Sequence, residues 1–148
     1  MKKAVGEGVE KVMGLDVGTR RIGVALSDSM GWTAQPLETV SVSAGGDHLT
    51  RIAELCLTHG VTELVAGIPF ELSGKAGGMA KRVRRMLAKV SEKTGLEVIE
   101  VDERLTTRQA ERAMIEAGVG LKDRRTVVDQ IAAAIILQTH LDARGRQR

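Results

Sequence analysis

The feature that most constrains the fold of this chain is a strand–turn–strand pattern near its start, with one carboxylate inside an apolar run. Residues 12–17 are apolar apart from Gly14 and Asp16, and a second apolar run, residues 22–26, follows a Gly18-Thr19 turn. Near-continuous apolar runs are typical of strands in the middle of a sheet. A carboxylate in such a strand costs several kcal/mol unless it is paired, hydrogen-bonded or metal-bound. Asp16 is therefore either a functional group or a turn cap.

Three glycines surround this carboxylate along the two strands. Gly14 and Gly23 carry no side chain, so a ligand or another backbone segment could approach Asp16 closely. Gly18 is predicted to supply the turn because glycine tolerates a positive φ.

Length and composition limit the classes of protein to consider. A chain of 148 residues with 43% hydrophobic and 28% charged residues is expected to form one folded domain. Aromatic residues are almost absent, with Trp32, Phe70 and no tyrosine, which argues against binding of single strands on aromatic platforms. The net charge of +3 permits a polyanionic partner without requiring one.

The remaining global features predict a soluble cytoplasmic protein with no membrane partner. The single cysteine, Cys56, is expected to fill the core and excludes an intrachain disulfide. Residues 1–11 are too polar for a signal peptide, and the longest apolar run, residues 131–137, is too short to span a bilayer. We expect a flexible leader at residues 1–10, one domain at 11–141 and a basic flexible tail at 142–148.

Hydrophobic periodicity predicts an α/β fold. After the first two strands, the pattern indicates strands at 33–42, 64–68 and 97–101 and helices at 47–59, 79–93, 106–117 and 126–141. Pro36 favours an edge position for the third strand, and Asp47 is predicted to cap the first helix. Strands one, four and five alternate with helices and should be parallel, whereas strands one to three should form an antiparallel meander. The expected architecture is a mixed five-stranded sheet with helices on both faces.

Carboxylates from three separate segments could meet at one edge of this sheet. Asp16 lies in the first strand, and Asp102 and Glu103 lie where the fifth strand ends. Adjacent strand residues point to opposite faces, so only one of that pair should face a given site, and spacing alone does not say which. The carboxyl ends of parallel strands are the usual place for a ligand.

The third carboxylate, Asp129, is the most informative. At helical spacing it shares a face with Ala132, Ala133 and Ile136, and this face should pack on the sheet. The alternative is that Asp129, in the first turn, caps the N-terminus of the helix or interacts favourably with its dipole. If the three acids meet, they repel one another unless a cation neutralises them. Oxygen ligands with water suit Mg²⁺ or Mn²⁺, and two such ions about 4 Å apart could act on a phosphodiester.

Basic residues flank the same segments. Loop bases beside acids suit contacts with a phosphate backbone, whereas the basic cluster at residues 81–85 is explained by a solvated helix face. The candidate phosphate-binding residues are Arg20, Arg21, Lys75, Arg104, Arg108, Lys122, Arg124 and Arg125.

Five segments, taken in order and with their spacing, resemble one known family. The segments are Gly14–Ala25, Ala34–Thr39, Gly67–Pro69 with Gly74, Val101–Thr107 and Asp129–Leu137. Together they are similar to the YqgF/RuvX family over nearly the whole chain, from residue 12 to about residue 141. The resemblance implies a ribonuclease H-like fold. It also implies a role in 5′-end maturation of precursor small-subunit ribosomal RNA; the family was earlier assigned to Holliday-junction resolution.

The resemblance also implies an acidic triad of Asp16, Glu103 and Asp129, which selects Glu103 over Asp102. On this basis we expect a hydrolase, a nuclease dependent on Mg²⁺ or Mn²⁺, with the triad as catalytic and metal-binding residues. A precursor ribosomal RNA is the favoured partner and a DNA junction is the alternative. A junction cutter would be expected to form a homodimer, but the sequence does not distinguish a monomer from a homodimer.

Two other classes of function compete with this one. A factor that binds nucleic acid without cutting it would use the acids structurally. An actin-like or sugar-kinase-like nucleotide binder also has an Asp-x-Gly-Thr turn, but it needs a second domain and a second phosphate loop for which this chain is too short.

Overall fold

The computed structural model describes residues 11–71, 73–106, 108, 111–112, 115 and 124–146, without the side chains of 124–127 and 146. The strands and α-helices whose bounds are described are β1 (Lys11–Val17), β2 (Arg21–Ser27), β3 (Ala34–Ser41), α1 (Asp47–His59), β4 (Val61–Ile68), α2 (Gly78–Thr94), β5 (Val98–Asp102) and α3 (Arg124–Arg146), with a 3-10 turn at Glu103–Leu105 between β5 and α3. None of these described helices has the length and apolar character that a membrane span requires.

The sheet has the predicted antiparallel meander and parallel strands, and its strand order is β3-β2-β1-β4-β5. β4 rather than β5 therefore lies beside β1, a choice that the sequence pattern left open. β1 and β2, and β2 and β3, pair antiparallel, whereas β4 lies parallel to both β1 and β5. The apolar strands β1 and β4 are central, and Pro36 lies in the edge strand β3 as predicted. This arrangement brings the carboxyl ends of β1, β4 and β5 to one edge of the sheet.

Helices cover both faces of the sheet, also as predicted. On one face α1 and α2 pack on large aliphatic side chains of the strands, and Cys56 is buried there as core. On the other face α3 lies across β1, β2 and β3, and its buried contacts come from residues such as Ala133, Ala134 and Leu137. Side chains of β1 alternate between the faces, with Met13 and Leu15 towards α1 and α2 and Val12 towards α3.

Two helix ends differ from the prediction. Gly46, with φ of 82°, caps the start of α1, and Asp47 is the first helical residue, so the assignment of Asp47 as the cap was wrong. α3 starts at Arg124, two residues earlier than predicted, and continues past Leu141 to Arg146. Leu141 is buried against the sheet, and this anchors the last turns of α3 in a segment that the sequence predicted as a flexible tail. Most of the predicted helix at 106–117, like the predicted leader at 1–10, lies outside the described residues.

The hairpin turn after β1 also has a different physical basis from the one predicted. Gly18 does not adopt a positive φ. Its amide N–H donates to the carbonyl oxygen of Arg21 at 2.8 Å, and an added Cβ would lie 2.8 Å from the same oxygen. Glycine is therefore required at this position for space.

Candidate active site

The three predicted carboxylates come from the end of β1, the end of β5 and the face of α3 that packs on the sheet. Asp16 is the penultimate residue of β1, and Glu103 is the first residue after β5. Asp16 and Glu103 line one cleft of about 260 Å³ together with Ala132 and Ile136 of α3. The topology therefore brings β1, the β5 end and α3 to one site.

Glycines on the strands allow α3 to approach this closely. Gly23 of β2 lies opposite Asp16 in the antiparallel register, and a Cβ there would be 1.9 Å from the carbonyl oxygen of Asp129. A Cβ at Gly14 would be 2.7 Å from the Cβ of Leu137. The main chain of α3 thus rests directly on β1 and β2, and this contact places Asp129 beside the strand that carries Asp16.

Another glycine makes room for Glu103. Gly67 of β4 pairs with Val101 of β5, and a Cβ at Gly67 would be 2.7 Å from Cγ and 2.9 Å from Oε1 of Glu103. The Glu103 side chain therefore folds back over the sheet and into the cleft.

The neighbouring carboxylate, Asp102, is held by Arg104 instead. The Arg104 guanidinium donates to Asp102 Oδ2 at 2.6 Å, and the main-chain N–H of Arg104 donates to Oδ1 at 2.9 Å. The same guanidinium lies 5.9 Å from the centre of the Phe70 ring and donates to the carbonyl oxygen of Glu71. Asp102 is thus part of a local ion pair, and the choice of Glu103 implied by the family resemblance agrees with this geometry.

The electrostatic environments of Asp102 and Glu103 are opposite. Burial, and then the negative charges of Asp16 and Asp102, raise the pKa of Glu103. Burial, and then the charge of Asp129, raise the pKa of Asp16. The hydrogen bonds from Arg104 lower the pKa of Asp102. Raised pKa values in a cleft are typical of functional carboxylates, because burial and mutual repulsion both disfavour the ionised form.

Asp129 is oriented by an arginine from the hairpin. Arg21 Nε donates to Asp129 Oδ2 at 2.7 Å, and the Arg21 side chain is 57% exposed whereas that of Asp129 is 22% exposed. No acidic residue lies in the first turn of α3, so Asp129 is not placed for the helix-dipole role that was its alternative explanation. Arg21 was predicted to contact phosphate only, and its ion pair with Asp129, which lies 108 residues away in the sequence, was not predicted.

Two polar residues that line the cleft were not proposed as site residues. Thr106 and Glu111 also line it, and the Thr106 hydroxyl donates to the carbonyl oxygen of Glu103 at 3.1 Å. Thr106 was predicted only as the start of the helix at 106–117. Glu111 offered no signal in the sequence because a surface glutamate is common on any helix.

The candidate phosphate-binding residues occupy different surroundings. Arg20, Lys75 and Arg108 are exposed, whereas Arg21 and Arg104 take part in the ion pairs described above. Lys122 and the side chains of Arg124 and Arg125 lie outside the described part of the chain.

The fold and the cleft define a ribonuclease H-like α/β protein with a carboxylate site at the carboxyl edge of its sheet. Among solved structures, Thermus thermophilus RuvC bound to a Holliday junction substrate is similar in fold, with a TM-score of 0.63 and 19% identity over 92% of this chain and 96% of that chain. A fowlpox virus resolvase bound to Holliday junction DNA is also similar, with a TM-score of 0.56 and 10% identity over 90% of this chain and 97% of that chain.

The sequence comparison is more specific. Residues 10–143 match the profile of the RuvX family, described as Holliday junction resolvase, and the chain belongs to this family. A Moorella thermoacetica protein with the name "Putative pre-16S rRNA nuclease" is 46% identical over 136 residues, which are 92% of this chain and 97% of the relative. A protein of the same name from Pelotomaculum thermopropionicum is 43% identical over 139 residues, 93% of this chain and 90% of the relative.

Proposed function

We propose that this protein is an endonuclease that hydrolyses phosphodiester bonds in nucleic acid, with the precursor of 16S rRNA as its substrate. The observation that carries the proposal is the half-buried pair Asp16 and Glu103 in one cleft, with Asp129 held beside Asp16 by Arg21. The names of relatives that share 43–46% of their residues with this chain support the RNA substrate.

The donor set of the cleft fits Mg²⁺ or Mn²⁺. Among the residues that the structure describes, no three His, Cys, Asp or Glu side chains are grouped so as to enclose an ion. Mg²⁺ does not need such a cage, because it is commonly bound through one or two carboxylates, several waters and a substrate phosphate. Asp16 and Glu103 would hold the metal, since a cation stabilises the ionised form that burial and repulsion disfavour. When bound, the metal would neutralise charge on the phosphate and lower the pKa of a bound water.

The protein's own residues divide the remaining tasks. Asp129, oriented by Arg21, would accept the proton of the attacking water, since a general base must be held within hydrogen-bonding reach. Arg20, Lys75 and Arg108 are exposed cations that could contact the phosphate backbone. Arg104 is bound to Asp102 and Phe70, which favours a structural role for it. Lys122, Arg124 and Arg125 stay predictions as phosphate contacts.

The proposal also covers the extent of the domain, its location in the cell, the number of metal ions and the oligomeric state. Residues 11–141 would act as one nuclease domain in the cytoplasm, with nucleic acid as the partner. The proposal includes two metal ions, which a titration of Mn²⁺ against the protein would count. Whether the protein acts as a monomer or a homodimer is decided by sedimentation with and without substrate.

Cleavage assays with matched variants test this function. Wild type and the Asp16→Asn and Asp129→Asn variants are incubated with a labelled precursor rRNA fragment, in Mn²⁺ or in chelator. We expect cleavage by the wild type in Mn²⁺ only, and loss on the order of a thousandfold in both variants. Asp102→Asn is the control, because it removes a carboxylate next to Glu103 that is bound to Arg104. If the variants cut as fast as the wild type, or if the chelator has no effect, the proposed mechanism is wrong.

The description of the matched family favours one second candidate function, resolution of Holliday junctions. A synthetic four-way DNA junction in the same assay tests it. If the junction receives paired symmetric cuts and the RNA stays intact, the substrate is a DNA junction and not RNA. The roles proposed for the three acids would be unchanged. Equal binding of both substrates by wild type and variants, without cleavage, would identify a non-cleaving binding protein.

A further inference from the structure

A second concave surface lies between the β1–β2 turn and the start of α2, on the face of the sheet opposite the carboxylate cleft. This groove has a volume of about 140 Å³ and is lined mainly by Val17, Thr19, Met79, Arg82, Val83 and Met86. Neither the proposed catalysis nor the phosphate contacts use it.

The groove and the cleft share the end of β1. Successive strand residues point to opposite faces of the sheet. Asp16 lies in the cleft on the α3 side, whereas Val17, the next residue, packs with the core beneath α1 and α2 and lines the groove. A nucleic-acid strand that crosses the hairpin turn could therefore place a phosphate at Asp16 and the base of a neighbouring nucleotide in the groove.

The groove exists because the apolar stripe of α2 extends beyond the core. Ala80, Val83, Leu87 and Val90 are buried, but Met79 in the first turn is 48% exposed. Methionine side chains are flexible and polarisable, and they adapt to flat ligands that vary in shape. This suits a surface that must accept more than one kind of base.

The polar groups of the groove also fit a base attached to a polyanion. Thr19 offers a hydroxyl, and Arg82 offers a planar guanidinium that can stack on a base or bind phosphate. Among the residues that the structure describes, no acidic side chain lines the groove, and Arg20, Lys81 and Arg85, which are close to its residues in the sequence, are exposed. Because the chain has almost no aromatic residues, we expect a base to be held by the methionine side chains and the Arg82 guanidinium instead of by aromatic stacking.

We propose that this groove is a nucleobase-binding subsite for the nucleotide next to the cleaved phosphate. The inference rests on the proposed nuclease function and adds a substrate requirement to it. A base can enter the groove only when it is unstacked and unpaired, so the preferred substrate has a single-stranded nucleotide at that position.

The test is equilibrium binding of fluorescent single-stranded RNA in chelator, which separates binding from cleavage. A series of oligonucleotides carries one abasic nucleotide at successive positions. An abasic nucleotide at one particular position should weaken binding to the wild type about fivefold. Met79→Ala and Arg82→Ala should each weaken binding of the intact oligonucleotide to a similar extent. Binding of the oligonucleotide that is abasic at that position should not change with Met79→Ala.

Two matched control substitutions are available, one on α2 outside the groove and one in a different part of the molecule. Arg85→Ala removes the same charge from α2 outside the groove, and Met30→Ala removes a methionine that is 67% exposed elsewhere. Met30→Ala should bind the intact and the abasic oligonucleotide with the affinity of the wild type. Arg85→Ala should lose affinity for the two oligonucleotides by the same factor, because it removes a positive charge and no contact with a base.

The outcomes separate the subsite from the function it rests on. If Met79→Ala and Arg82→Ala weaken intact and abasic oligonucleotides equally at every position, the groove does not bind a base, although the nuclease proposal stands. If the wild type neither binds nor cleaves RNA but cuts the DNA junction, the substrate assignment fails, and the abasic series is repeated on single-stranded arms of DNA. Tight binding of fully double-stranded RNA together with weak binding of single-stranded RNA would contradict the proposed subsite, because a paired base cannot enter the groove.

Discussion

The two faces of the sheet are built from different residues, although the same strands supply both. Towards α1 and α2 the strands present large aliphatic side chains such as Met13, Leu15 and Leu64. Towards α3 they present Gly14, Gly23 and Gly67, and α3 itself contributes alanines. The first face forms a thick core, whereas on the second a helix backbone rests on the strands.

This difference shows how the fold separates stability from chemistry. Burial of large apolar side chains stabilises the α1–α2 face. The α3 face buries smaller groups, but the close approach of α3 brings Asp129 beside the strand that carries Asp16, and Gly67 leaves room for Glu103 in the same cleft. Substitutions on the two faces should therefore have different consequences.

The largest effect is expected when a methyl group is added between α3 and β2. In Gly23→Ala the new Cβ would lie 1.9 Å from the carbonyl oxygen of Asp129, so α3 and β2 must separate. We expect a loss of about 3 kcal/mol or more in the free energy of unfolding, measured by urea denaturation. Gly45→Ala is the control, because nothing lies within 4 Å of its new Cβ. Equal stability of the two variants would contradict the close packing described for α3.

Removal of core volume from each face should separate stability from activity. Leu64→Ala, on the α1–α2 face, and Leu137→Ala, on the α3 face, each remove a fully buried side chain and should each cost about 3 kcal/mol. Only Leu137→Ala should also lower the cleavage rate of the folded protein, because the Leu137 side chain belongs to the buried cluster that holds α3 on the sheet. Leu57→Ala, at a position that is 85% exposed, should change neither quantity. Equal cleavage rates for both core variants would show that α3 need not be held this firmly.

The ion pair of Arg21 should matter for the reaction more than for stability. Arg21→Ala frees Asp129 to change its orientation, and we expect the cleavage rate to fall about tenfold. Arg51→Ala is the matched control, since Arg51 binds Glu38 in a similar ion pair at 2.7 Å away from the cleft. Arg20→Ala separates loss of positive charge from loss of the contact with Asp129. A rate for Arg21→Ala equal to that of Arg20→Ala would assign Arg21 to phosphate binding alone.

The smallest expected effect is a gain in stability. Burial, and then the charge of Asp129, raise the pKa of Asp16 in the folded protein above its ordinary value of 3.8. The folded state then binds more protons than the unfolded state in the pH range above that value, so the free energy of unfolding falls as pH rises through this range. Asp16→Asn should therefore be more stable than the wild type by about 1 kcal/mol at pH 7 in chelator, with the gain vanishing in acid.

Asp102→Asn should behave in the opposite way. Hydrogen bonds from Arg104 lower the pKa of Asp102, so its contribution to stability is present above the ordinary pKa and is lost as pH falls through the folded value. The variant should be less stable than the wild type at pH 7. Thermal unfolding from pH 3 to pH 8 measures both variants, and a destabilised Asp16→Asn at pH 7 would mean that this carboxylate is structural.

Much of this architecture could be predicted because its causes are local. The apolar runs of β1 and β4 place them in the centre of the sheet, and Pro36 excludes β3 from it. Asp16 and Asp129 stand out as charges within apolar patterns, and family resemblance added Glu103. The end of α3 was missed because the residues after Leu141 are polar, and the burial of Leu141 that anchors that end depends on the sheet beneath it.

The sequence by itself determined which segments form strands and helices and which side of each is buried, since hydrophobic periodicity records this. The tertiary structure decided which strand lies beside β1 and how the three acids are brought together. Only the tertiary structure decided how the charges pair. Arg21 meets Asp129 across 108 residues, whereas Asp102 is bound by Arg104 two residues away. Such pairing depends on distances between elements, and these are set by packing: the glycines let α3 rest on the strands, and that contact fixes where each carboxylate lies.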